Sequence, residues 1–64
     1  MTPQEIRDLR ESVGLSRRKM GALIDMSGAA IESWERGLKK PRRNSIKLIK
    51  MIIVPLAKKS GKEG

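Results

Sequence analysis

The sequence predicts a compact all-α domain of four to five short helices, and three observations carry that prediction. Apolar residues recur at three- and four-residue spacing along most of the chain. Thr2, Ser16 and Ser27 stand where helix N-caps belong, and Gly14 and Gly37 where helices should stop. The 64 residues include no Cys, so no disulfide staples an irregular fold together.

Thr2-Pro3-Gln4-Glu5 reads as a capping box, with Pro3 in the first turn and Glu5 at the third helical position. Ile6, Leu9 and Val13 follow at helical spacing, with Arg7, Asp8 and Glu11 on the other side, and Gly14 closes this first helix. Ser16 opens a second, short helix with Met20, Leu23 and Ile24 as its apolar side, stopping around Asp25. Ser27 caps a third that ends before Gly37. Asp25 and Met26 alone separate the second helix from that cap, the tight join of a helix-turn-helix unit.

Leu38 to Arg43 is a basic loop punctuated by Pro41. A fourth helix begins at Arg43 or Asn44 and runs towards Ile53. Pro55 cannot donate the backbone hydrogen bond to Met51, so an end or a kink is expected there. Residues 51–57 fit helix or an extended segment, because Met51 to Val54 is apolar and β-branched enough for either, and the reading leans to all-α. Residues 1–57 form one expected domain, and 58–64, charged and Gly-rich, an expected disordered basic tail.

The 15 Lys and Arg against 7 Asp and Glu give a net charge of +8, a balance that favours polyanionic partners. With no His and no Cys, the usual general base and the usual zinc ligands are missing. No nucleophile–base pair or metal site can be assembled, so neither an enzyme nor a metal, cofactor or small-molecule ligand is expected. The longest apolar run, Met51 to Ala57, is broken by Pro55 and too short to span a bilayer, and the first residues lack the apolar core of a secretory signal. Three separately capped helices also argue against one amphipathic helix lying on a membrane. The expectation is a cytoplasmic protein.

Two features of residues 16–36 ask for a partner. On a wheel of roughly 100° per residue, Ile31 and Trp34 share one side of the third helix. That side must pack inward, since Trp34 is the chain's one aromatic residue. Ala29, Ser33 and Arg36 project from the opposite side, flanked by Glu32, and Gly28, Ala29 and Ala30 put almost no bulk at the helix start. The second feature is three cations, Arg17, Arg18 and Lys19, directly after the Ser16 cap. The start of a helix is its positive end, where Asp and Glu stabilise.

From Arg17 to Arg36 the chain resembles the twenty-residue helix-turn-helix of the phage Cro and repressor (Xre-like) family. The resemblance rests on Gly21 at the fifth position, Met26 then Ser27 after the turn, Ile31 at the fifteenth, and Trp34-Glu35-Arg36-Gly37 closing the third helix. Pro41 and the apolar helix after it continue the pattern, and with Ile6 to Ser16 it covers roughly Thr2 to Ile53. Short antitoxins of toxin-antitoxin operons are similar too. The chain departs from the family at Arg17, where Gln is usual, and at Asp25, where Gly is usual. That turn position favours φ > 0, at a cost to Asp on the order of 1 kcal/mol.

The resemblance implies a lambda-repressor-like domain that lays its third helix in the major groove of an operator. It places Ser16, Arg17, Arg18, Lys19 and Ser27, then Lys39, Lys40, Arg42 and Arg43, against DNA phosphates on either side of that helix. Phosphate oxygens would offset the cation–dipole misfit at the second helix. Gly28, Ala29, Glu32, Ser33 and Arg36 match the base-reading positions; Ala29 suits the thymine methyl, Ser33 donates or accepts, and Glu32 suits cytosine N4. None of the residues at the helix start is a bidentate reader, so DNA shape should supply part of the specificity. Glu35 lies roughly 40° from Ile31, near the core edge, and the resemblance pairs it with a first-helix arginine, here Arg10.

In the fourth helix, Ile46, Leu48, Ile49, Ile52 and Ile53 fall within about 160°, a wider apolar arc than a four-helix core needs. The surplus predicts a weak homodimer on a palindromic operator, with Ile52, Ile53, Val54 and Leu56 at the interface. The function expected is thus a Cro-like transcriptional repressor. The alternative is an antitoxin that regulates its own operon and binds a toxin through its C-terminal apolar surface.

Overall fold

A computed structural model describes residues 1–61, and every regular element among them is helical. The elements are α1 (Pro3–Val13), α2 (Arg17–Leu23), α3 (Gly28–Glu35), α4 (Arg43–Leu48), a π turn (Ile49–Ile53) and α5 (Val54–Gly61).

Each of the first three helices starts as its sequence dictates. Thr2 Oγ1 accepts from the Glu5 amide at 3.1 Å while Glu5 Oε1 accepts from the Thr2 amide at 2.8 Å, a closed capping box. Ser16 and Ser27 accept from the amides of Lys19 and Ala30 at 3.0 and 3.1 Å. Gly14, at φ 78°, ends α1, and Leu15 donates back to the Arg10 carbonyl at 3.1 Å. Gly37, at φ 76°, ends α3 the same way, with Leu38 donating to Ser33 at 2.9 Å. This reversal swings Leu38 outward to 65% exposure, although the helical wheel puts it beside the apolar side; the wheel stops applying at Gly37.

The core is Ile6, Met20, Ile24, Ile31, Trp34, Ile49 and Ile53, drawn from α1, α2 with its cap, α3 and the π turn. Leu9, Val13, Leu15, Met26 and Leu48 pack around it half-buried. Leu23, expected on the apolar side of the second helix, is 43% exposed. The α2–α3 join is built on Gly21. Its carbonyl accepts from Ile24 at 3.1 Å and from Met26 at 2.7 Å, and Asp25 turns the chain at φ 60°. A Cβ on Gly21 would overlap the Met26 carbonyl oxygen, so only glycine permits this approach without a shift.

The C-terminal third agrees with the all-α reading and departs from expectation at three other points. Residues 51–57 are helical, so the extended alternative is set aside. Pro55 does not end the helix, because the preceding turn widens and the Val54 amide donates to the Ile49 carbonyl, five residues back. In a continuous α-helix the Pro55 ring would press on the Met51 carbonyl; the wider π turn takes up that misfit. Residues 58–61, expected to be disordered, continue α5, while 62–64 of that expected tail lie outside the described residues. Finally, Ile53 is fully buried in the protein's own core and cannot face a second copy. Ile52, Val54 and Leu56 remain half-buried, and Met51 is 62% exposed.

Candidate nucleic-acid interface

The outward side of α3 carries exposed Ala29, Glu32 and Arg36 with half-buried Ser33 between them. A concave strip runs beside it, walled by Ala29 and Ser33 on α3 and by Lys39, Lys40 and Arg42 of the following loop. Lys39, Lys40, Arg42 and Arg43 are all exposed, and none makes an ion pair with a described carboxylate. At the other end of α3, across the α2 start, Arg18 and Lys19 are exposed and equally without an acidic partner. Three of the described carboxylates, Glu5, Asp8 and Glu11, sit exposed on α1 instead, while Glu32 is on the α3 face itself and Asp25 in the α2–α3 turn. Two clusters of cations therefore bracket a helix face of small and polar side chains, as the sequence implies.

Gly28 is placed differently from the other expected readers. A Cβ there would stand 3.2 Å from Arg18 Cα, so its missing side chain lets α3 close on α2. The Ser16 and Ser27 oxygens are engaged as caps, and each hydroxyl keeps its own proton to donate.

Behind this face sits an ion network. Glu35, its side chain only 2% exposed, accepts from Arg10 Nε at 2.6 Å and Arg10 Nη2 at 3.2 Å. Arg10 also donates to the Leu15 carbonyl at 2.9 Å, tying α1, the α1–α2 loop and α3 together. The other partner of Glu35 is Arg17, whose Nε donates at 3.1 Å. Burial pushes the Glu35 carboxyl up, but the hydrogen bonds from Arg10 and then Arg17 outweigh it and hold it below the ordinary carboxylate value. The hydrogen bond to Glu35 likewise holds Arg10 above its ordinary value, despite the opposing effect of burial.

The Arg10–Glu35 pair is the one the resemblance implies; the Arg17–Glu35 bond is not legible in the sequence. It accounts for one of the three cations at the α2 start without an external anion. The one available signal was Arg17 itself, a cation where the family has a neutral amide. Arg17 remains 42% exposed, so its outer nitrogens still face solvent. Among the described residues, no three His, Cys, Asp or Glu side chains come together as a metal site, and no helix is long and apolar enough to cross a membrane.

Comparison with known proteins agrees with this architecture. A helix-turn-helix family model matches residues 6–58. The antitoxin HigA-2 of Vibrio cholerae serotype O1 is 31% identical over 52 residues, which cover 81% of this chain and 50% of that protein. The chain thus spans about half the length of this curated relative. No solved structure matches.

Proposed function

The chain belongs to the helix-turn-helix family, and from that premise we propose that it is a DNA-binding transcriptional regulator, a repressor that docks α3 in the major groove of its operator. The observation that carries this reading is the arrangement of charge around α3. Cations with no acidic partner among the described residues, at the α2 start (Arg18, Lys19) and in the next loop (Lys39, Lys40, Arg42, Arg43), flank a face with no bulky side chain at its start. Phosphate contacts at both ends would fix the register of the helix and leave its middle to meet base edges. Arg17 joins the first cluster through its exposed outer nitrogens, held by Glu35. Specific binding then proceeds as two copies on an inverted repeat, each reading one half-site.

A second reading is favoured by the likeness to an antitoxin. In it the same DNA contacts regulate the chain's own operon, and the exposed Met51 with half-buried Val54 and Leu56 offers a toxin an apolar landing area.

Selection of the purified chain against random duplex DNA at near-physiological salt tests the first reading. The expected product is an inverted repeat with half-sites about one helical turn apart. Retained binding with no enriched sequence would refute a sequence-specific regulator. Co-purification of a neighbouring gene's product with the chain would favour the antitoxin reading.

A further inference from the structure

On α3 the two longest outward side chains face each other. Arg36 Nη1 lies 3.7 Å from Glu32 Oε2, within ion-pair range yet beyond a hydrogen bond, and both side chains are about half exposed or more, 64% and 48%. Each group is therefore oriented by the other while its hydrogen-bonding capacity stays available. Glu32 is also the one described carboxylate on the outward side of α3; Glu35, on the same helix, is buried against Arg10 and Arg17.

An anion on a DNA-facing helix is costly beside phosphates unless a base donates to it. In the major groove the donors are the amino groups of cytosine and adenine. Arg36 narrows the choice, because a guanidinium fork wants two acceptors side by side, and only guanine presents two, O6 and N7. A C·G pair offers, in one row across the groove, the cytosine N4 donor followed by those two acceptors. A carboxylate and a guanidinium held next to each other are the complement of that row. An A·T pair gives one donor between single acceptors and a methyl group, leaving half the fork unmatched. Ala29, one turn earlier on the same side, adds no length that would hold the helix away from the base edges.

We infer that Glu32 and Arg36 act as one unit that reads a single C·G base pair, Glu32 accepting from cytosine N4 and Arg36 donating to guanine O6 and N7. This rests on the proposed docking of α3 in the major groove. Both side chains are exposed, so their substitution leaves the core intact.

The test is selection from random duplex DNA by the wild-type chain, Glu32→Gln and Arg36→Ala, followed by affinity measurement on the wild-type winner. The expected result is one fixed C·G position per half-site in the wild-type selection. Glu32→Gln should relax it or move it to adenine, which a glutamine reads bidentately. Replacing that C·G pair by T·A should weaken wild-type binding about tenfold or more and the Arg36→Ala variant far less. A wild-type operator that both variants select unchanged overturns the inference and leaves the docking of α3 standing. A wild-type chain that enriches no sequence overturns the proposed sequence-specific regulator as well.

Discussion

Glu35→Ala is expected to destabilise the protein by about 3–5 kcal/mol, the usual effect of removing one partner of a buried ion pair. The substitution leaves Arg10, with a side chain only 12% exposed, holding a positive charge against the core without its anion. Arg17 loses its partner too, but at 42% exposure water screens most of that loss. A domain of this size has on the order of 3–10 kcal/mol to lose, so the variant should be largely unfolded at growth temperature. Urea denaturation followed by the fluorescence of Trp34, the chain's one aromatic residue, reads the change directly. A loss below about 1 kcal/mol would mean that the network is worth no more than a surface pair.

The same carboxylate gives the protein an acid limit. Its native pKa lies below the ordinary value of 4.5, so the unfolded state binds the proton more readily. The stabilisation is fully present above that ordinary value and is lost as pH falls through it and then through the lower native value. The wild-type stability curve should therefore drop on acidification more steeply than that of Glu35→Gln, which has no carboxylate to protonate at this site. Parallel curves would contradict the burial and pairing assigned to Glu35.

Gly21→Val is expected to be similarly damaging, at about 3 kcal/mol or more. A Cβ at this position already overlaps the Met26 carbonyl oxygen and stands 3.1 Å from the Ser27 carbonyl carbon. A branched side chain must push α2 away from the turn, breaking the 2.7 Å bond from the Met26 amide to the Gly21 carbonyl. Ala22→Val is the control. That neighbour is exposed, so the change there should cost only helix propensity, under about 1 kcal/mol. Thermal melts of the two variants by circular dichroism separate these effects. Equal melting temperatures would show that the turn can relax around a side chain.

Local rules made most of the fold legible. A cap is a contact within three residues, so Thr2, Ser16 and Ser27 could be read one by one, and Gly14 and Gly37 likewise. The inward side of α3 followed from period alone, since Ile31 and Trp34 have no other place to go. Arg10–Glu35 came from the resemblance rather than from spacing, the two residues being 25 apart.

The misses share a cause: each depends on where the backbone goes, which side-chain pattern does not encode. Ile53, read as surplus for a second copy, is fully buried in the core, and the π turn changes hydrogen-bond register ahead of Pro55. A wheel at constant pitch cannot show it. Leu38 leaves the apolar side because Gly37 reverses the chain, and Gly28 serves as a point of helix–helix approach, which its place on the wheel does not show. Arg17 belongs to a three-body network that no pairwise pattern reveals. The candidate interface was legible as two basic clusters around a small-residue helix. Which cations have internal partners was not.

The most direct test of the central claim, that α3 and its flanking cations form the DNA-binding face, is an amide-resolved NMR titration of the labelled chain with its selected duplex. The largest shifts are expected in α3, at Arg17 to Lys19 and at Lys39 to Arg43, with the exposed side of α1 unmoved. Shifts centred instead on Met51 and the Lys47 and Lys50 side of the C-terminal helix, with α3 silent, would contradict it.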